Sequence, residues 1–319
     1  MLEIYLLPIT LIIFFIFFKF NKFIAKNTNL FDKNKIPLIG GIFLILGIFI
    51  NIFYIKINNL NSIYLVNIYF VSSMFLVALI DDRYNINPFI RMLLMIILIA
   101  FFVIKLELFI FTLNFKYLSF FYFSENIFIK VIFPIFCIVV FLNAFNFTDG
   151  INGISTLLAL SWFIYIFIKF PFLTEIYYFF LIFMFFFLIL NFLNKSYLGD
   201  SGNYIISIIL SYLILIINRE MPESIYAEEI LLLLLIPGID LIRLFFQRIK
   251  NKKNPLIGDL NHFHHLLLKK YSLFRSLVIY LLLVTLPLYT YVLVEDLLGI
   301  LIFISILTYS LLVRNLVKI

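Results

Sequence analysis

The chain has 319 residues, of which 65% are hydrophobic and 13% are charged, and its mean hydropathy is +1.15. Ordinary soluble domains are about 45–50% apolar and about 25% charged, so 24 Lys and Arg with 17 Asp and Glu are too few for a soluble globule of 37.9 kDa. A disulfide scaffold is excluded because Cys137 is the only cysteine. Nucleic acid is not an expected partner, because a chain this apolar offers no water-exposed surface on which the net charge of +7 could form a basic patch. The composition predicts a polytopic membrane protein.

Apolar runs long enough to cross a bilayer recur along the whole chain. A hydrocarbon core of about 30 Å needs roughly 20 helical residues, and loops cannot lie in lipid with unpaired backbone groups. This length criterion predicts an all-α polytopic membrane protein that forms a single integral-membrane domain over residues 1–319. The predicted number of transmembrane helices is eleven, with ten as the alternative. The predicted spans are 2–18, 38–56, 62–80, 88–105, 126–145, 153–170, 173–193, 201–218, 228–248, 274–293 and 296–314.

The stretch 106–125 interrupts this pattern. It is rich in Phe and Tyr but is broken by Glu107, Asn114 and Lys116. We therefore predict an extended excursion at the membrane surface. A twelfth helix at this point would invert the orientation of everything downstream.

Charge bias orients the predicted spans. With the N-terminus outside and the C-terminus in the cytoplasm, 18 of the 24 Lys and Arg residues lie on the inner side, as the positive-inside rule requires. All acids on that side are Asp, and short carboxylates gathered on one face suit a hard cation such as Mg²⁺. We expect a protein of the cell (inner) membrane whose active-site face is cytoplasmic. The loops that form this face are 19–37, 81–88, 146–153, 194–201 and 249–273.

The first polar cluster on that face is Asp81-Asp82, which directly follows the third predicted span. Paired carboxylates at a helix end can share a metal ion, or one of them can gain a raised pKa and act as a base. A solvated helix end is the plain alternative. Negative charge at a helix C-terminus opposes the helix dipole, which weakens that alternative.

The second cluster lies at the end of the fifth predicted span, in the sequence FLNAFNFTDGINGIS. Asn143 and Asn146 are three residues apart and share one helix face. Asp149-Gly150 and Asn152-Gly153 each predict a turn. Turn formation accounts for Asp149-Gly150 but not for the two preceding Asn residues, whose carboxamides need partners near hydrocarbon. This cluster therefore predicts more than a helix connection.

The third cluster is Gly199-Asp200-Ser201-Gly202, which introduces the eighth predicted span. Asp200 is placed either to cap the helix N-terminus or to bind a ligand on the inner face. Capping alone would explain this short motif.

The fourth cluster is the loop 249–273, which holds all three histidines of the chain, His262, His264 and His265. A zinc site is not expected, because no Cys or nearby Glu completes a tetrahedral ligand set. Imidazoles near lysines such as Lys253 suit phosphate oxygens better. A positive-inside loop would explain the lysines but not the histidines.

In this order along the chain, the four clusters resemble the polyprenyl-phosphate N-acetylhexosamine-1-phosphate transferases, specifically the bacterial type within glycosyltransferase family 4. The resemblance covers roughly residues 38–270. It rests on an Asp-Asp pair at 81–82, an Asn-x-x-Asn-x-x-Asp-Gly-x-x-Gly string at 143–153, a Gly-Asp-x-Gly string at 199–202 and a His-x-His-His loop at 262–265. The eleven-span topology with the N-terminus outside is similar as well.

Two positions depart from the bacterial pattern. Asn85 stands where many bacterial members carry a third acid, and Asn152 stands where many carry a second Asp. Eukaryotic relatives have Gly-Ile-Asn-Gly at the latter position, as this chain does. The departure therefore weakens metal binding at Asn152 without excluding activity.

The resemblance implies a reaction and a set of roles. A sugar-1-phosphate would pass from a UDP-N-acetylhexosamine, by default UDP-GlcNAc, to undecaprenyl or another polyprenyl phosphate with release of UMP, at the start of lipid-linked glycan synthesis such as O-antigen or capsule. Mg²⁺, which Mn²⁺ can replace, would assist. The implied catalytic residues are Asp81, Asp82, Asp149, His262, His264 and His265; the implied substrate-binding residues are Asn143, Gly150, Asn152 and Lys253; the implied metal ligands are Asp200 and Asn146.

Three alternatives stay open at this point. Transfer of phospho-MurNAc-pentapeptide for peptidoglycan ranks second, because the His-x-His-His loop resembles that of enzymes using simple UDP-N-acetylhexosamines. A secondary transporter would place its polar residues near the bilayer midplane in repeated halves, and no corresponding half is found in the sequence. An inactive scaffold is allowed by Asn85 and Asn152, and a homodimer is left open.

Overall fold

The computed structural model describes residues 2–28, 36–60, 65–117, 121–122, 127–252 and 261–317. Its described part consists almost entirely of helices, as the apolar runs predict. The elements are α1 (Leu2–Thr28), α2 (Gly40–Ile57), α3 (Ile68–Tyr84), α4 (Pro88–Lys105), β1 (Thr112–Leu113), β2 (Phe121–Tyr122), α5 (Ile127–Asn146), α6 (Ile154–Lys169), α7 (Phe172–Phe192), α8 (Gly199–Glu220), α9 (Ala227–Lys250), α10 (Phe263–Lys270), α11 (Leu273–Leu293) and α12 (Leu298–Val317).

Each of the eleven predicted spans falls on one of these helices, and α10 is a short additional helix inside the predicted loop 249–273. Within the described residues, seven helices are long and apolar enough to cross a membrane: α2, α4, α5, α7, α8, α11 and α12. The prediction of an all-α polytopic membrane protein is confirmed at this level. The count of eleven and the orientation of the chain stay predictions.

The stretch 106–125 forms no helix in its described residues, in agreement with the sequence pattern. Its strands β1 and β2 pair antiparallel, with Thr112 opposite Tyr122 and Leu113 opposite Phe121. In the residues that the structure describes, the strands β1 and β2 are the one short sheet in an otherwise helical fold. The membrane-surface position of this hairpin stays a prediction.

The chain divides into two compact units. Unit 1 comprises Met1–Leu98 and Trp162–Leu213, and unit 2 comprises Ile99–Ser161 and Ile214–Ile319. Each unit draws on two separate stretches of chain. The prediction of a single domain is not tested by this division, and the two units are described separately below.

Close packing of α2 against α7 forms the centre of unit 1. Small residues let two apolar helices approach where lipid offers no hydrophobic driving force. A Cβ added to Gly47 of α2 would lie 2.6 Å from Cγ of Phe183 in α7, so this position has no room for a side chain. One turn earlier, the rings of Phe43 and Phe183 pack with centroids 4.8 Å apart.

A buried amide links the same two helices. Asn51 of α2 is 1% exposed, and its Nδ2 donates to the carbonyl of Ile176 in α7. Its Oδ1 accepts from the backbone N–H groups of Phe179 at 3.2 Å and Phe180 at 3.4 Å. A polar side chain in an apolar interface must find such partners, and here they lie on the neighbouring helix backbone.

Helix α9 is the centre of unit 2, where it packs against α5, α11 and α12. The short helix α10 packs against α11 and α12. Phe263 at the start of α10 is fully buried, with its ring 5.8 Å from that of Tyr280 in α11 and 5.1 Å from that of Tyr309 in α12. The buried Phe263 side chain holds the stretch 262–265, which carries the three histidines and is called the histidine segment below, against α11 and α12.

A buried acid also lies at the first turn of α9. Glu229 is 0% exposed, and its Oε2 accepts from the backbone N–H of Tyr226 and from the hydroxyl of Tyr291, both at 3.3 Å. A carboxylate at a helix N-terminus satisfies free N–H groups and complements the helix dipole.

Replacing Gly47 with Ala should destabilise unit 1, because the added methyl group overlaps Phe183 in a packed interface. Overpacking of this kind costs roughly 1–3 kcal/mol. The melting temperature of the detergent-purified protein, followed as loss of the monodisperse peak after heating, should fall by several degrees.

Gly238→Ala in α9 is the matched control, because nothing lies within 4 Å of the added Cβ. Ala favours a helix over Gly by about 1 kcal/mol, so this variant should melt at or above the wild-type temperature. Equal melting of the two variants would contradict the packing described for α2 and α7.

Candidate active site

In unit 1, one guanidinium joins two of the predicted site carboxylates. Arg91 lies in the first turn of α4, and its Nη1 is 2.5 Å from Oδ2 of Asp81 and 2.6 Å from Oδ2 of Asp200. Asp81 lies in the last turn of α3 and is buried, whereas Asp200 lies in the first turn of α8 and is partly exposed. Three helix ends therefore meet around one charge-assisted hydrogen-bond network.

The third carboxylate, Asp82, caps helix α8. Its two oxygens accept from the backbone N–H groups of Asp200 at 2.9 Å and Ser201 at 3.0 Å. These N–H groups have no partner within their own helix, and a carboxylate there also complements the helix dipole. Gly199 has a φ of +71°, and a Cβ on it would lie 2.8 Å from Oδ2 of Asp82, so only glycine fits at this approach.

The structure gives Asn85 a backbone role. Asn85 follows α3 as its C-cap, with a φ of 50° in the left-handed region, and its N–H donates to the carbonyl of Asp81 at 2.8 Å. The next N–H, that of Ile86, donates to Oδ1 of Asp81 at 2.8 Å. Asn enters the left-handed region more easily than most residues, so its presence here has a structural reason.

The carboxylate oxygens near Arg91 are of the type that binds hard cations. Arg91 contacts the carboxyl groups of Asp81 and Asp200, and Asp82 binds the N-terminus of α8 beside them; ionised together, the three carboxyl groups would carry two more charges than one guanidinium neutralises. That excess equals the charge of a divalent ion, and the oxygens are of the kind that Mg²⁺ prefers. Among the described residues no group of three or more His, Cys, Asp or Glu side chains is arranged to hold a metal ion directly. The guanidinium of Arg91 instead contacts one oxygen of Asp81 and one of Asp200.

In unit 2, the second motif forms the end of α5 and the turns that follow it. Asn143 donates from Nδ2 to the carbonyl of Val139 at 2.8 Å, within its own helix. Asp149 accepts from the hydroxyl of Ser155 at 2.5 Å, which links the turn to the first residues of α6. Asn146 and Asn152 are both half-buried. Since Asn146 lies in unit 2 and Asp200 in unit 1, their pairing as metal ligands stays a prediction.

Gly150 lies against two histidines of the same unit. A Cβ added to Gly150 would overlap Nε2 of His264 and would lie 2.8 Å from Nε2 of His265. Glycine is therefore required at the point where the histidine segment meets the Asp-Gly turn. The prediction that the second and fourth motifs act together is supported by this contact.

His264 is the histidine most removed from water. It is 2% exposed, and its buried Nε2 has no hydrogen-bond partner among the described residues. Burial lowers the pKa of His264 to about 3, with the neighbouring His265 acting in the same direction, so its ring is neutral at physiological pH. A buried, unpartnered ring nitrogen is a donor or acceptor available to a ligand.

His262 is held by a carboxylate that the motifs did not single out. Its Nδ1 lies 3.1 Å from Oδ2 of Asp240 in α9, and its Nε2 lies 3.4 Å from Nη2 of Arg248. The sequence marks Asp240 and Arg248 only as inner-side charges, as it marks Arg91. No local signal identifies their partners, because Asp200 lies 109 residues from Arg91, and His262 lies 22 residues from Asp240 and 14 residues from Arg248. Lys253 and the rest of the segment 253–260 lie outside the described residues.

The neutral state of His264 predicts a pH dependence of stability. Its folded pKa of about 3 lies below the ordinary value of 6.5, so below that value the unfolded chain binds a proton that the folded chain excludes. Stability should therefore fall as the pH drops from about 6.5 towards 3. In His264→Gln, the fall in melting temperature between about pH 7 and about pH 5 should be smaller than in the wild type.

His265→Gln is the control for this measurement, since His265 is adjacent but only half-buried. It should keep more of the wild-type pH dependence than His264→Gln does. An unchanged slope in His264→Gln would show that His264 is protonated in the folded protein.

Comparison with known proteins adds two matches. The family model of glycosyl transferase family 4 matches residues 63–218, which include the first three motifs and end before the histidine segment. A protein of Saccharolobus solfataricus is 27% identical over 142 residues, and the match covers 43% of this chain and 42% of that protein. Its provisional name is UDP-N-acetylglucosamine–dolichyl-phosphate N-acetylglucosaminephosphotransferase. The chain thus spans less than half the length of this curated relative.

Neither match tests the bacterial type that the motifs predict, which stays a prediction. The range matched by the family model contains the motifs at 81–82, 143–153 and 199–202, on which the resemblance rests. Together they show that the chain is similar to glycosyl transferase family 4 over a little less than half of its length.

Proposed function

We propose that this protein transfers a sugar-1-phosphate from a UDP-N-acetylhexosamine, by default UDP-GlcNAc, to a polyprenyl phosphate such as undecaprenyl phosphate, with release of UMP. The observation that carries the proposal is the network of Asp81, Asp82 and Asp200 around Arg91, at the ends of three helices. The family match and the name of the relative support the same class of reaction.

The proposed chemistry is phosphoryl transfer between two anions. An oxygen of the lipid phosphate forms a bond to the β-phosphorus of the UDP-sugar, and the bond from that phosphorus to the bridging oxygen breaks, so UMP leaves with the electron pair. Charge neutralisation and alignment are then the main tasks of the protein. Asp81 and Asp82 are proposed to orient the lipid phosphate or accept its proton.

Mg²⁺ is the proposed cofactor, with Mn²⁺ able to replace it, and Asp200 and Asn146 are its proposed ligands. When bound, a divalent ion neutralises charge on the diphosphate oxygens. The cluster in unit 1 supports a cation requirement, because Arg91 is the one guanidinium that contacts Asp81 and Asp200, while Asp82 lies on the N-terminus of α8 beside them.

The proposed donor-binding groups belong to unit 2. Asp149, Asn152 and Asn143 are assigned to the nucleotide, and the histidine segment with Lys253 to the sugar and diphosphate. The contact between Gly150 and His264 supports this assignment, because it brings the turn and the histidines into one cluster. The unpartnered Nε2 of His264 is the ring nitrogen available there.

The second candidate within the same chemistry is transfer of phospho-MurNAc-pentapeptide. A panel of UDP-GlcNAc, UDP-GalNAc, a deoxy-amino UDP-sugar and UDP-MurNAc-pentapeptide, assayed with one lipid acceptor, separates the candidates. We expect turnover with a simple N-acetylhexosamine donor. Exclusive use of the pentapeptide donor would contradict the proposed substrate while leaving the chemistry intact.

Asp200→Asn should reduce UMP release by about 100-fold or more at saturating substrates, because one carboxylate is a large share of the charge that would bind the cation. The assay uses purified protein, UDP-GlcNAc, polyprenyl phosphate and Mg²⁺. Asp296→Asn is the matched control, since Asp296 has a 97% exposed side chain at the start of α12. Near-normal turnover of Asp200→Asn with unchanged Mg²⁺ dependence would refute the assignment.

Arg91→Met should make the stability of the protein depend on divalent cations. Without the guanidinium, Asp81 and Asp200 face each other uncompensated, and buried like charges are strongly unfavourable. We expect Mg²⁺ to raise the melting temperature of Arg91→Met more than that of the wild type, each compared with EDTA.

Arg83→Met is the control, because Arg83 lies exposed in the last turn of α3 and its guanidinium packs only over the ring of Tyr84 among the contacts observed. It should show the wild-type response to Mg²⁺. An Arg91→Met protein that melts like the wild type with and without Mg²⁺ would argue against a cation-binding role for this cluster.

A further inference from the structure

Asp240 is a buried carboxylate of unit 2 to which the proposed reaction assigns no part. It lies on α9, is 6% exposed, and uses both of its oxygens. Oδ1 accepts from the hydroxyl of Tyr309 at 2.7 Å and from Nη2 of Arg243 at 2.8 Å. Oδ2 accepts from the backbone N–H of Phe263 at 3.2 Å and lies 3.1 Å from Nδ1 of His262. A carboxylate buried this far is held by several specific donors.

The neighbours of His262 define its tautomer. The guanidinium of Arg248 has only donors, so Nε2 of His262 at 3.4 Å must be the acceptor. Nδ1 then carries the hydrogen and donates it to Asp240. A protonated ring would turn a second N–H towards Arg248, which is itself only 3% exposed. Only the neutral Nδ1–H form satisfies both partners.

The ring of His262 stacks on the ring of His264, and His264 lies against Gly150 of the Asp-Gly turn. The rings of His262 and His264 stack nearly parallel, at an interplanar angle of 6° and a centroid distance of 5.6 Å. His262 also packs on the ring of Phe147, with centroids 5.1 Å apart. His264 in turn lies against Gly150. The orientation of His262 therefore influences where the unpartnered Nε2 of His264 lies.

We propose that Asp240 is a positioning residue that fixes the Nδ1–H tautomer and the orientation of His262, and through His262 the placement of His264. Its catalytic consequence rests on the proposed function, whereas the tautomer does not. Both ring nitrogens of His262 have partners inside the protein. His262 therefore anchors the histidine segment, and His264 is the residue that this anchor presents to the donor substrate.

Arg243 and Tyr309 belong to the same arrangement. Arg243 donates to Asp240 and also to the carbonyl of Asn261 at 2.6 Å, next to His262 in the chain. Tyr309 brings a hydroxyl from α12. Asp240 thus ties the start of the histidine segment to α9 and α12 by both main-chain and side-chain bonds, which is the arrangement that orients a functional histidine elsewhere in proteins.

The direct test is the protonation pattern of the histidine rings. Full-length protein labelled with ¹⁵N-histidine contains three rings, and the signals of His262 are identified by their loss in His262→Gln. We expect Nδ1 protonated and Nε2 unprotonated in the wild type. In Asp240→Asn the amide cannot accept on both sides, so His262 should populate a mixture of tautomers. A wild-type Nε2–H tautomer, or an unchanged ring in Asp240→Asn, would overturn the proposal.

The second readout compares the effect of Asp240→Asn on the kinetic constants for the UDP-sugar with its effect on those for the polyprenyl phosphate. Asp240→Asn should lower kcat/KM for the UDP-sugar by about 10- to 100-fold, the usual effect of removing a group that orients a functional side chain. The KM for the polyprenyl phosphate should change by less than about twofold, because the lipid is assigned to other residues. Adding Asp240→Asn to His262→Gln should cause little further loss, since both changes remove the same link.

Glu229→Gln is the matched control for folding. Glu229 is a second buried acid on α9 that also accepts from a backbone N–H and a tyrosine hydroxyl, and these bonds go to Tyr226 and Tyr291. It should leave the His262 tautomer and the activity unchanged even if the melting temperature falls. An equal loss of activity in both variants would mean that Asp240 acts through folding alone. An inactive wild type would refute the proposed function, while the ring protonation would still decide the tautomer.

Discussion

Charged groups in a chain that is 65% hydrophobic persist only where other groups of the protein satisfy them. This constraint governs both polar clusters of the structure. Arg91 is held by Asp81 and Asp200, and Asp240 is held by four donors from three segments of chain. Because removing one partner would leave the other buried without compensation, such groups fix the geometry around them. The helices supply the apolar frame, and these ion pairs set where helix ends and loops lie.

The cluster around Arg91 and the cluster around Asp240 satisfy their charged groups in different ways, and each arrangement suits a different kind of ligand. In unit 1, two carboxyl groups share one guanidinium, and a third carboxyl group binds the helix N-terminus beside them. In unit 2, Asp240 is matched by Arg243 and bonds to His262, and the buried ring of His264 is neutral. The first arrangement suits a cation and an anionic acceptor. The second suits a shaped surface of hydrogen-bonding groups, which can recognise a sugar and a diphosphate.

The elements of the fold were largely predictable because hydropathy alone marks a helix in an apolar chain. All eleven predicted spans fall on helices, and the break at 106–125 is a hairpin in its described part. The site was predictable where a motif is local, as at Asp81-Asp82 and Gly199-Asp200. Arg91 and Asp240 were not, because their roles arise from partners 109 and 22 residues away, which no local pattern reveals. Likewise, only the backbone shows that Asn85 ends a helix in the left-handed region.

In the proposed reaction, the bond between the β-phosphorus and the bridging oxygen of the UDP-sugar breaks. UDP-GlcNAc labelled with ³²P in its β-phosphate tests this most directly, with purified protein and polyprenyl phosphate. We expect the label to move into the organic phase as a lipid-linked sugar diphosphate, in amounts equal to the UMP formed. Label that stays in the aqueous phase as UDP, while the sugar alone reaches the lipid, would show transfer of the sugar without its phosphate and would refute phosphoryl transfer.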